Sequence, residues 1–138
     1  MKFEWKDEYL LGFEEIDEQH QNFFKMADEV NEFVGEGNLT MDGLLEKLTA
    51  LSNYALYHFE TEENYFKKCE YPGAEHHIEL HHNYKERMRQ LIDDLRGSDD
   101  GLEELAGKVV NFAWDWFAGH ILNEDRKYIE NFKKCGVE

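Results

Sequence analysis

Four stretches of this chain repeat their apolar residues at steps of three and four, and each interrupts that repeat with histidine. Such steps line side chains along one stripe of an α-helix. The first stretch, about 17–35, carries Ile16, His20, Phe24, Ala27, Asn31 and Val34; Asp17 opens it and "GEGN" at 35–38 closes it. The second, about 41–70, carries Leu44, Leu48, Leu51, Ala55, His58, Glu62, Phe66 and Cys69. Thr40 suits its N-cap, and "YPG" at 71–73 ends it. The third, about 74–96, carries His77, His81, Tyr84, Met88, Leu91 and Leu95, with Gly97 at its C-cap. The fourth, about 99–134, carries Leu102, Leu105, Ala106, Val109, Ala113, Trp116 and His120. No strand-like alternation persists, and the connections are short, which makes neighbouring helices antiparallel. The expected fold is all-α. It is an up-down-up-down four-helix bundle in a single domain, 1–138, with residues 1–16, including Trp5 and Phe13, as an arm against it.

The stripes are polar where a core should be apolar. His20, His58, His77, His81 and His120 occupy core positions, and Glu62 joins them one turn after His58. An unsatisfied buried polar group costs about 1–3 kcal/mol. Six of them together rival the ~5–15 kcal/mol that holds a domain folded. One metal centre would satisfy them together. The spacing agrees: His58/Glu62 and His77/His81 are i, i+4 pairs, which stack on one helix face. So do the heights. These residues lie early in the first and third helices and late in the second and fourth, so antiparallel packing brings them to one end. His76 and His82 point away from that stripe and are expected in solvent.

A net charge of −16 argues against nucleic acid and anionic membrane surfaces as partners. No run approaches the ~20 apolar residues of a membrane span. Cys69 and Cys135 form no CxxC pair and suit reduced thiols rather than a disulfide framework. With no apolar run in "MKFEWKDEYLLGFEE" to serve as a signal peptide, a cytoplasmic location is expected.

Four ordered motifs resemble the hemerythrin family, and the single-domain bacterial members in particular. They are Trp5, Gly12, Ile16, Asp17, Gln19 and His20 in the opening segment; "HFETEE" at 58–63; "YPGAEHHIELH" at 71–81; and "HILNED" at 120–125. Myohemerythrin, a relative, is itself an up-down bundle. The resemblance implies two non-haem iron ions bridged by an oxo or hydroxo group and two carboxylates. One iron takes His77, His81 and His120; the other takes His20 and His58; Glu62 and Asp125 bridge them. Asp125 comes from the resemblance alone, because an unbroken helix would place Glu124 above His120 and turn Asp125 about 140° away. The family spacing therefore implies a distorted helix between 120 and 125. Phe24, Phe59, Trp116, Phe117 and Ile121 are candidates to line a dry oxygen pocket. The implied function is reversible dioxygen binding for storage, transport or delivery, without enzymatic turnover. The implied partners are dioxygen and an oxygen-consuming enzyme, with the chain a monomer or weak oligomer. The alternatives are a di-iron peroxidase, oxidase or nitric-oxide-handling enzyme, and an oxygen- or iron-sensing module. Ferritin-like oxidases use two Glu-x-x-His pairs; the one such pair here, Glu79/His82, points outward.

Overall fold

Each apolar stripe becomes the dry face of a helix. In the computed structural model, which describes residues 4–138, α1 spans Glu14–Gly35, α2 Met41–Lys68, α3 Ala74–Arg96 and α4 Leu102–Asn123. A 3₁₀ turn, Asp125–Tyr128, leads into a short α5, Ile129–Cys135. There is no strand among the described residues. α1 packs on α2 and α4, and α3 packs on the same two, which makes a four-cornered bundle. Leu44, Leu48 and Leu51 of α2, Leu95 of α3 and Ala106 and Ala113 of α4 are fully dry. Along α1 the dry face takes in Phe23 and Val30 as well, and Asn31 turns to solvent. No helix is long and apolar enough to cross a membrane.

Two helix starts show how local chemistry sets the boundaries. Thr40 caps α2, its hydroxyl accepting from the Gly43 N–H at 3.1 Å. Asp17 does not open α1 from outside. It lies within the first turn, and its carboxylate reaches back to the N–H groups of Leu11 at 2.8 Å and Gly12 at 3.0 Å. Gly12 stands at φ +96°, a conformation that disfavours any side chain, and this turn presents the two amides to Asp17.

The arm is folded onto the bundle. Trp5, Tyr9 and Phe24 form a ring cluster, with Trp5 at 5.6 Å and Tyr9 at 5.4 Å from Phe24. Phe13 packs on Phe132 of α5 at 5.5 Å. Residues 1–3 of the expected arm lie outside the described residues.

Cys69 and Cys135 are not free thiols. They form a disulfide with Cα atoms 5.5 Å apart, joining the C-terminal end of α2 to that of α5. The expectation of reduced cysteines fails because 66 residues separate them in sequence, while the fold sets α5 beside the end of α2, with Phe132 on Phe66 and Cys135 on Cys69. The side-chain amide of Asn131 donates to the Cys69 carbonyl at 3.2 Å, and Phe132 packs on Phe66 at 5.9 Å. With the disulfide present, the cysteines no longer argue for a reducing compartment.

Candidate metal centre

At one end of the bundle the core stops being apolar. His20 of α1, His58 and Glu62 of α2, His77 and His81 of α3 and His120 of α4 meet there, each no more than 6% exposed. Asp125, just past α4, is fully buried among them. Their ligand atoms fall into two groups, in each of which all lie within 4.8 Å of one another. One is Glu62, His77, His81 and His120; the other is His20, His58, Glu62 and Asp125. Glu62 belongs to both, and Asp125 also reaches into the first through His77 at 3.0 Å and His120 at 3.1 Å. His76 and His82 are exposed.

Hydrogen bonds behind the rings fix which nitrogen faces inward. The Thr61 hydroxyl donates to the Tyr57 carbonyl at 3.1 Å, so it accepts from the Gln19 amide NH₂, also at 3.1 Å. That leaves the Gln19 carbonyl oxygen facing His58 Nδ1 at 2.8 Å. A carbonyl only accepts, so His58 Nδ1 carries the hydrogen. Glu63 imposes the same on His81, its carboxylate oxygen lying 2.9 Å from Nδ1. Both rings therefore turn Nε2 toward the centre.

The centre is crowded with acceptors. His20 and His58 oppose their Nε2 atoms at 3.0 Å, and His77 and His120 do so at 2.9 Å. Glu62 Oε1 lies 3.2 Å from His81 Nε2 and 3.3 Å from His58 Nε2. Despite this closeness Glu62 Oε1, His81 Nε2 and both Asp125 oxygens lack the alignment of a hydrogen bond. Buried polar atoms left so are costly. Lone pairs and carboxylates turned on one another are stabilised by cations. Nitrogen and carboxylate donors in this mixture suit iron, zinc or manganese, so the residues present fit a pair of metal ions.

Without metal, protons take up part of that role. Burial pulls the His81 imidazole down, but its contacts with Glu62 and Glu63 outweigh it and raise the group to about 9. Burial and the nearby Asp125 push the Glu62 carboxyl up, yet His58 and His81 hold it well below the carboxylate range. Asp125 follows the same pattern: burial opposes its ionisation, and His120, His20 and His77 overcome that. Burial lowers His58 despite the nearby carboxylates.

The helix break predicted between 120 and 125 is present. α4 ends at Asn123 and the chain tightens into the 3₁₀ turn Asp125–Tyr128. This carries Asp125 inward. Glu124, the residue that periodicity favours, is 21% exposed and pairs with Lys127 at 3.2 Å instead. The same turn delivers Tyr128, fully buried, whose hydroxyl donates to Glu62 Oε2. No periodic signal singled out Tyr128 or Glu63. Both serve through contacts to ligand-type residues on other helices.

Rings wall the centre. Phe59 stacks on His81 at 4.0 Å and Trp116 on His120 at 4.3 Å. Phe117 lies parallel to Phe59 at 5.6 Å and reaches His58 at 5.9 Å. Ile121 is fully buried one residue after His120. Phe24 packs instead among Trp5, Tyr9, Phe23 and Trp114.

Comparison with known proteins points the same way. The hemerythrin HHE cation binding domain matches residues 11–131. A bacteriohemerythrin of Clostridium acetobutylicum is 28% identical over 133 residues, covering 93% of this chain and 99% of that protein. One from Stenotrophomonas maltophilia is 22% identical, covering 94% of this chain and 80% of its own length. A hemerythrin-like protein of Naegleria gruberi is 25% identical, covering 91% and 90%.

Proposed function

The chain belongs to the hemerythrin family, and on that footing we propose that it binds dioxygen reversibly at a non-haem di-iron centre, as a store or carrier rather than an enzyme. One observation carries the reading. Seven buried imidazoles and carboxylates from four helices and the turn after α4 converge, and Glu62 Oε1, His81 Nε2 and both Asp125 oxygens are left without a hydrogen-bond partner, a need that bound cations would meet. In the proposed assignment His77, His81 and His120 would hold one iron and His20 and His58 the other, with Glu62 and Asp125 shared between them.

When bound, the iron pair supplies the two electrons that dioxygen takes up and returns. The chain supplies the rest. Gln19 and Glu63 fix the tautomers of His58 and His81. Tyr128 holds Glu62 through its second oxygen. The position with two histidines would offer its metal fewer imidazole ligands, and an exogenous molecule would bind there. Phe117 beside His58, Phe59 stacked on His81 and the buried Ile121 keep the centre dry, which excludes the protons and water that turn binding into irreversible oxidation. Delivery to an oxygen-consuming enzyme fits the same site.

The test is anaerobic reduction of iron-loaded protein, followed by oxygen addition and removal, watched by absorbance. A charge-transfer band that comes and goes over several cycles supports a carrier. Conversion to a permanently oxidised form on first exposure, or steady oxygen consumption with a reductant, would reject it in favour of an enzyme.

A further inference from the structure

Resting on that ligand assignment, we propose that Gln19 and Glu63 are positioning residues that make the two metal positions unequal, so that metal fills the His77/His81/His120 position first. The two contacts are matched in shape and differ in charge. Gln19 Oε1 faces His58 Nδ1 at 2.8 Å; Glu63 Oε2 faces His81 Nδ1 at 2.9 Å. Each orients its ring and fixes the same tautomer. Only Glu63 carries a negative charge.

A carboxylate behind an imidazole makes the inward nitrogen more basic and adds attraction for the cation beyond it. An amide orients the ring without that gain. The charged partner serves the position with three histidines, and the neutral partner serves the one with two. Both differences act in the same direction. They concentrate affinity at the crowded position and leave the open one the weaker. Glu63 is 25% exposed, so water screens part of its effect. Losing such a partner typically costs 10–100-fold in metal affinity, and screening places Glu63 near the low end, about tenfold.

Gln19 allows the converse change. It is 4% exposed and held by Thr61. In Gln19→Glu the Thr61 hydroxyl can swing from the Tyr57 carbonyl to donate to the new carboxylate, so the charge is added without an orphaned group.

The experiment is a cobalt(II) titration of metal-free protein, anaerobic, followed by visible absorbance against a competing chelator. Wild type should bind two ions in two resolved steps. Glu63→Gln keeps the acceptor oxygen and removes the charge; it should weaken the first step about tenfold and leave the second unchanged. Gln19→Glu should tighten the second step by about tenfold and leave the first unchanged. The melting temperature of each metal-free variant separates a metal effect from a fold defect. If wild type binds two ions but Glu63→Gln moves neither step, or both equally, the inequality does not come from these partners and the proposal is overturned. If wild type binds no cobalt, the ligand assignment itself is overturned.

Discussion

Removing the disulfide tests the tertiary arrangement most directly. Cys69 and Cys135 are 66 residues apart, and the loop they close contains α3, α4 and the turn that carries Asp125. Closing a loop of that length removes denatured-state entropy worth about 4 kcal/mol at 25 °C. For 138 residues the unfolding entropy converts that into a loss of about 14 °C in melting temperature. The assay is thermal unfolding by circular dichroism in chelator. Three samples suffice: oxidised wild type, wild type reduced with a phosphine, and the Cys69→Ser/Cys135→Ser double variant. Reduced wild type and the double variant should melt together, well below oxidised wild type. A fall of less than about 3 °C, or an oxidised wild type that melts with the variant, would refute the loop-closure reasoning. The link would then be absent in solution or strained enough to cancel its benefit.

Further outcomes are expected at the metal centre. Asp125→Asn should lose one of two bound irons per chain, while Glu124→Gln should keep both, as read by iron content after gel filtration; equal loss would contradict the inward turn of Asp125. His77→Ala should abolish two-iron binding and His82→Ala should leave it intact, and a His77→Ala protein that retains both ions would contradict the ligand set. The metal-free protein should be most stable near pH 6.5. His81 is raised from 6.5 to about 9, so its contribution is full below 6.5 and lost as pH rises through 9. Glu62 and Asp125 are depressed below 4.5 and 3.8, so theirs is present above those values and lost in acid. His58 is lowered from 6.5, so protonating it below that pH costs stability too. Melting temperatures from pH 4 to 10 check this, and a flat profile between 6.5 and 9.5 would contradict it. Metal-loaded protein should melt well above metal-free protein, by an amount that grows with free metal concentration; coincident melts would count against a buried site.

The sequence by itself determined the helices, most of their dry faces (Asn31 of α1 excepted) and the meeting of five histidines with Glu62. These follow from spacing along one helix and from the antiparallel order that short connections impose, and both are properties of chain neighbours. It also carried Asp125, though only through a motif, since periodicity favours Glu124. What tertiary structure decided lies between residues far apart in the chain. The Cys69–Cys135 link spans 66 residues. Tyr128 reaches Glu62 across 66 residues and Gln19 reaches His58 across 39. A hydrogen bond or disulfide depends on a few tenths of an ångström between particular atoms. The hydrophobic pattern fixes which face of a helix is buried, but its axial register and the path of the chain after α4 are settled only when the whole core packs.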